Sequence, residues 1–407
     1  MGTSPVIALI DGEHHPPAVR EALDRIERER GLAGVAFCGG EEKLAGGPLD
    51  GHYGRQVHDD PELALRSLAS SAAAVLDLAD EPVMPPPARL RLAALALHLG
   101  LAYEAPGARL EPPAYSPVDF AGVKLAVIGT GKRTGKTAVA GHLAGLLKGQ
   151  GAEPVIVCMG RGGPAEPELV EAPLSLEELM ALAAEGRHAA SDYLEDAVLA
   201  GVRTVGCRRV GGGLAGEPAE SNVPEGAVLA ASLSPDALIF EGSGSCLPPV
   251  EVDRTISLAG AGALDALGAY RLLRADLALV GDAGDLDAVA EVCPGAVMRF
   301  SLRPEPVEDV PADARVALFS TGHARPQGIE PVVASPNLGR RSLLSLDLDR
   351  AAEERCDLYL TELKAAAIDT VAARAVRDGA RVVFLRNRPV GLDGDLDRAL
   401  LGVWSDA

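Results

Sequence analysis

The stretch from Val123 to Val139, VKLAVIGTGKRTGKTAV, constrains this chain more than any other. Lys124 to Ile128 is an apolar run suited to a buried strand. A glycine-rich loop follows, Gly129-Thr130-Gly131-Lys132-Arg133-Thr134-Gly135-Lys136-Thr137, and an Ala/Leu periodicity predicts a helix from there to about Gly149. Strand, glycine loop, Lys-Thr and helix in that order predict a phosphate-binding loop. Backbone N–H groups converge on phosphate oxygens only where side chains are absent from the bend. The helix N-terminus adds partial positive charge at the same point. Lys136 supplies a full charge, and the Thr137 hydroxyl can join a magnesium shell. Thr130 occupies the place of the usual first glycine, so Gly129 sits one position early. The expected nucleotide-binding set is Gly129, Thr130, Gly131, Thr134, Gly135, Lys136 and Thr137.

Upstream, apolar runs at Val6 to Ile10, Val35 to Phe37, Ala73 to Leu78 and Leu101 to Glu104 alternate with helical patterns. That alternation predicts a small α/β domain with a mainly parallel sheet. Asp11, Glu13 and His14 follow the first strand, and Asp80 follows the third. They read either as part of a site or as a polar turn. Pro106 to Pro117, PGARLEPPAYSP, reads as a linker, unsuited to helix or central strand.

Beyond the loop helix, Pro154 to Cys158 predicts a strand ending in Met159-Gly160-Arg161-Gly162-Gly163. Arg161 there could reach a transferred phosphate, or simply ride an exposed turn. Ser175 and Glu178 form a capping box opening a helix to about Glu185, and Asp192 starts the next one as ligand or cap. Arg203 to Gly213, RTVGCRRVGGG, joins three arginines to three successive glycines. Adjacent arginines on a strand point to opposite faces. Ala237 to Phe240 is a strand ending in Glu241, where a carboxylate suits a magnesium ligand. Strands continue at Leu277 to Val280, Val297 to Ser301 and Val316 to Phe319, and Pro304 to Pro311 reads as a second boundary. The last part alternates again, with strands at Asp357 to Thr361 and Val382 to Leu385 around a helix from Lys364 to about Arg377. The expected fold class is α/β: a P-loop NTPase-type parallel-sheet core with a small N-terminal α/β domain and a C-terminal α/β extension. The expected division is 1–105, a linker at 106–120, a nucleotide domain at 121–303 and a C-terminal region at 312–407.

The net charge of −20, from 38 basic and 58 acidic residues, argues against nucleic acid or an anionic membrane as partner. A phosphate ligand must then meet locally concentrated cations, and four of the six lysines fall between Lys124 and Lys148. The six cysteines are scattered without a C-x-x-C pair, as in a reduced, cytoplasmic protein. No signal peptide is read at the start.

GTGKRTGKT, CMGRGGP, ASDYLEDA, GCRRVGGG and FEGSGS, in that order, resemble the cyclic 2,3-diphosphoglycerate synthetase family. IDGEHHPP near the start, and ELKAAAID and FLRNRPV near the end, extend the resemblance over most of the chain. The loop variant and FEGSGS are also similar to dethiobiotin synthetase, whose magnesium-holding glutamate matches Glu241. The resemblance implies an ATP- and Mg²⁺-dependent ligase that closes the two phosphates of 2,3-diphosphoglycerate into a cyclic anhydride, releasing ADP and phosphate. It implies Lys136, Arg161, Lys132 and Arg133 as catalytic candidates. Arg208, Arg209, Gly211 and Gly212 are the candidates for substrate, and Thr137, Glu241 and Asp192 for metal. Two alternatives stay open: another P-loop phosphotransferase or ligase acting on a small anionic metabolite, and a non-metabolic switch ATPase. The sequence also leaves a homodimer open.

Overall fold

The structure is a computed structural model that describes residues 5–44 and 46–407. The reading that no leader is present falls partly on residues 1–4, outside the described residues. The chain forms two compact units, one of residues 1–114 with 262–274 and 291–294, the other of 115–261, 275–290 and 295–407.

The first unit holds β1 (Val6–Ile10), β2 (Leu32–Phe37), β3 (Ala74–Asp77), β4 (Ala102–Ala105) and β5 (Ala108–Leu110). Their order is β2-β1-β3-β4-β5, with every pair parallel except β4 with β5. β5 lies within the stretch read as linker. It is a short edge strand, which three residues turning back after Pro106-Gly107 can form without neighbours on both sides. The first unit also recruits the helix Gly268–Leu272 from far along the chain, against the helix Pro86–His98.

In the second unit the strands are β6 (Val123–Gly129), β7 (Pro154–Gly160), β8 (Glu168–Val170), β9 (Thr204–Val210), β10 (Glu220–Ser221), β11 (Ala237–Glu241), β12 (Arg254–Ala259) and β13 (Leu277–Val280). β14 (Ala296–Pro306), β15 (Val316–Phe319), β16 (Val333–Ser335), β17 (Leu358–Glu362) and β18 (Arg381–Gly391) complete it. They make one sheet in the order β10-β9-β7-β11-β6-β12-β13-β14-β18-β17-β15-β16, with β8 also paired to β9. The central strands are buried on both faces, as parallel strands under helices must be.

Two boundaries differ from the sequence reading. Pro304 to Pro311 does not interrupt the sheet, because β14 runs to Pro306 and pairs antiparallel with β18 from Phe300 onward. β13 leaves β14 after Arg299, so that flank is an edge where proline's missing N–H costs nothing. The helix expected from Lys364 to Arg377 is shorter and divided, a π-helical turn at Ala367–Ala372 running into an α-helix at Ala373–Asp378.

The loop helix, Lys136–Gly149, buries Val139, Ala140, Leu143, Ala144 and Leu147 against the sheet. That face repeats at helical spacing and fixes the helix N-terminus over the carboxyl end of β6.

Candidate active site

The phosphate loop sits between β6 and the loop helix. Gly135 has φ +99° and Arg133 φ +59°, so the turn into the helix is left-handed at two places. Gly129 is required by space: a Cβ there would lie 2.6 Å from Thr134 Oγ1 and 3.2 Å from the Leu258 carbonyl. Gly131 has no such constraint. Thr130 donates its backbone N–H to Leu258 O at 3.0 Å, which ties the loop to β12. The buried Lys136 ammonium donates to Gly131 O at 2.8 Å and to Thr134 Oγ1 at 3.3 Å, lying across the loop. Lys132 and Arg133 are exposed.

Glu241 closes β11 and is buried. Parallel pairing to β6 and β7 puts it beside Val127 and Cys158. Thr137 Oγ1 donates to Glu241 Oε1 at 2.6 Å, so the loop threonine and the strand-end carboxylate meet although 104 residues apart. Burial, then the charge of Asp192, pushes the Glu241 carboxyl up to about 8, and burial lowers Lys136. Asp192 itself is exposed in the first turn of the acidic helix, Asp192–Leu199, whose capping residue Ser191 accepts no cap bond through its side chain.

The acidic helix brings a residue the sequence reading passed over. Asp196 is buried, and Cys158 Sγ lies 3.1 Å from Asp196 Oδ2 and 3.5 Å from Glu241 Oε2. Burial raises the Asp196 carboxyl well above its ordinary range and does the same to the Cys158 thiol. The protonated thiol is therefore a hydrogen-bond donor here and no rival ligand for a hard cation. Asp196 stands four residues after Asp192, on the same helix face, and that spacing was the available signal. Glu195, also buried, is paired to Lys364 at 3.4 Å and pushed up to about 7, chiefly by burial. A hydroxyl and clustered carboxylate oxygens form a hard donor set, which fits magnesium.

Arg161 and Arg209 also act on the Lys136 charge. β9 alternates, so Arg208 is exposed while Arg209 is buried. Arg209 donates to Gly211 O and, at 2.9 Å, to Ser243 O, and its buried Nε has no partner. Arg161 is exposed and leans over Gly244, where a Cβ would lie 2.4 Å from its Nη2 and 3.6 Å from Arg209 Nη2. Gly244, at φ +65°, thus lets both guanidinia share one space. No carboxylate pairs with either arginine among the described residues, and burial together with Arg161 works against the Arg209 charge. Two such neighbours without a carboxylate partner leave positive charge that an anion would balance. Gly211 offers its carbonyl to Arg209, and the Gly213 N–H is taken by Glu217 O at 2.7 Å.

In the first unit, Asp11 is fully buried and its oxygens are used internally. They accept from the N–H groups of Glu13, His14 and Asp80 and lie 2.7 Å from His14 Nδ1. That is a loop organiser, the polar-turn alternative.

A phosphate loop at the carboxyl edge of a parallel sheet, with Glu241 against its threonine and arginines acting on its lysine, defines a P-loop nucleotide-binding protein. Sequence comparison narrows the class. Three family profiles cover the chain in turn: cyclic 2,3-diphosphoglycerate synthetase N-terminal domain at 5–111, P-loop domain at 124–291 and C-terminal domain at 312–388. Cyclic 2,3-diphosphoglycerate synthetase of Rubrobacter xylanophilus is 44% identical over 96% of this chain and 96% of its own. That of Thermococcus onnurineus is 38% identical over 97% and 99%, and that of Methanothermus fervidus 34% over 98% and 97%. The chain belongs to the cyclic 2,3-diphosphoglycerate synthetase family. Among solved structures, apo-form LpxK from Aquifex aeolicus in complex with ATP aligns with 72% of this chain and 91% of its own at 16% identity, and its TM-score of 0.41 carries no argument.

Proposed function

We propose that this protein uses ATP to close 2,3-diphosphoglycerate into its cyclic anhydride, releasing ADP and phosphate. The observation that carries the reading is the near-full-length similarity to synthetases of that name. The site chemistry agrees with it. Lys136 and the loop amides bind the β- and γ-phosphates of ATP. One substrate phosphate oxygen attacks the γ-phosphorus, the bond to the β-phosphate oxygen breaks, and ADP leaves. The substrate's second phosphate then attacks the ester-linked phosphorus of the new anhydride and expels inorganic phosphate, closing the ring. Every step transfers a phosphoryl group between oxygens, so positioning and charge neutralisation dominate.

Arg161 and Arg209 hold the substrate's phosphates and spread the charge of the transferred group, with Lys132 and Arg133 closing on it from the loop tip. Magnesium would be held by Thr137, Glu241 and a carboxylate of the acidic helix, Asp192 or Asp196, and would neutralise phosphoryl oxygens there. Residues 121–303 carry the nucleotide chemistry, and 312–407 continue the same sheet. No helix among the described residues is long and apolar enough to cross a membrane, and we propose a cytoplasmic enzyme.

The test is phosphorus NMR of 2,3-diphosphoglycerate incubated with the protein and Mg-ATP. Upfield anhydride resonances should appear in step with ADP and phosphate. ADP formation without those resonances would assign the chain to another ATP-dependent reaction.

A further inference from the structure

Arg161 shares the space over Gly244 with Arg209, yet the sheet does not hold it there. β7 pairs with β9 only as far as Gly160 against Arg208, one residue before the arginine. The turn 161–165 has left the strand, and an exposed guanidinium on an untethered turn would not keep a fixed distance from a buried one. Two contacts tether it. Gly163 lies flat on β9, where a Cβ would come 2.0 Å from the Cys207 carbonyl oxygen. Asn222 fastens the end of the turn. β9 lies between β7 and β10, and Asn222 directly follows β10, so the turn crosses β9 to reach it. Asn222 Nδ2 donates to Pro164 O at 3.3 Å and to Ala165 O at 3.1 Å. Its Oδ1 accepts the Arg208 N–H at 2.7 Å.

The ordinary uses of an asparagine do not account for this one. Asn222 is the N-cap of the helix Val223–Ala231, a position that favours asparagine, but its side chain makes no cap bond. β9 does not depend on it either. Five register pairs join β9 to β7, and Arg208 O also accepts from Ser221 Oγ at 3.1 Å and from the Asn222 backbone N–H at 3.3 Å. What the amide adds is a bond to each side at once, both donors to the Arg161 turn and the oxygen to the strand that carries Arg209. Two guanidinia grip two phosphates well only at a fixed separation. Resting on the reading of Arg161 and Arg209 as holders of the substrate's phosphates, we propose that Asn222 is a positioning residue for that pair. It sets their separation through the turn and does not itself touch the substrate.

The test is a double-mutant cycle with Arg161, read as KM for diphosphoglycerate and KM for ATP. Asn222→Ala removes both turn bonds and adds no charge. It should raise KM for diphosphoglycerate by about fivefold or more and leave KM for ATP within about twofold. Placed on Arg161→Ala, it should add less than about twofold, because the group it positions is gone. Gly163→Ala pushes the turn off the Cys207 carbonyl and should give the same selective loss by a different contact. An equal effect of Asn222→Ala with and without Arg161 overturns the inference, as does a parallel rise in both KM values. So does an unmoved KM in Asn222→Ala when Arg161→Ala raises it. If Arg161→Ala itself leaves KM for diphosphoglycerate unchanged, the substrate reading of that arginine has failed and the inference falls with it.

Discussion

Arg208 and Arg209 are neighbours in sequence, yet the pleat of β9 turns one to solvent and the other inward onto Ser243. A buried guanidinium with uncharged partners only is costly unless an anion arrives, whereas an exposed one is indifferent. Arg209→Ala should therefore raise KM for diphosphoglycerate by tenfold or more, about 1.4 kcal/mol. Arg208→Ala should change it less than twofold, with KM for ATP nearly constant in both. Arg209→Lys keeps the charge but loses the fork, and should recover only part of the affinity. Equal effects at the two positions would remove Arg209 from the substrate site. Glu241 acts at the same scale. Glu241→Gln should lower turnover and shift the magnesium titration to higher concentration together, because an amide is a poorer ligand for a hard cation. An unmoved titration would pass the role to Asp196 or Asp192.

The helices hold these side chains through contacts that allow no spare atoms. Helix Val223–Ala231 packs on β9 at Gly226, where a Cβ would come within 2.2 Å of Cys207 Sγ. Gly226→Ala should destabilise the protein by about 1–3 kcal/mol through overpacking. Because β9 carries Arg209, the same change should raise KM for the substrate more than KM for ATP. Gly145→Ala, in the loop helix, should be neutral or stabilising by up to about 1 kcal/mol, since it removes only glycine's backbone freedom. Thermal melts of the two variants give the comparison, and similar losses in both would mean that close packing is not what selects Gly226.

For the whole molecule, the buried acids Glu195 and Glu241 are opposed by half-buried His98, whose lowered value adds stability only up to its ordinary 6.5. Glu195 and Glu241 both have folded-state values raised above the ordinary 4.5, to about 7 and about 8. Each then contributes stability that is full below its unfolded value and is lost as pH rises through the folded one. Without divalent metal, the melting temperature should fall between pH 5 and 8. Lys136 is shifted down to about 8, and its contribution grows with pH only above that window, so it does not cancel the trend. Magnesium with ATP should reduce the slope, because a cation beside Glu241 favours the ionised form. A melting temperature that rises from pH 5 to 8 in chelator would show that these carboxyls are not the controlling groups.

The phosphate loop was legible in the chain because its function is local. Glycine where side chains cannot fit, lysine and threonine at the helix start, and an apolar strand before them all lie within seventeen consecutive residues, Val123 to Val139. Glu241 was legible for a related reason, since a parallel sheet puts its strand ends along one edge. The capping box at Ser175 and Glu178 is equally local and is present as expected. What lay beyond the sequence was contact between distant segments. Nothing in RRVGGG says that the glycine carbonyl holds the second arginine, and Gly244, 35 residues after Arg209, gives Arg161 its place beside it. Asp196 was hidden among ordinary helix residues until Cys158 and Glu241 closed around it. The alternation of strand and helix predicted the layers, but not that β14 would run on through two prolines into β18. Propensity and pattern act over a few residues. Burial without a partner, charge without a counter-charge and the space beside a glycine are properties of the packed chain, and only the tertiary structure decides them.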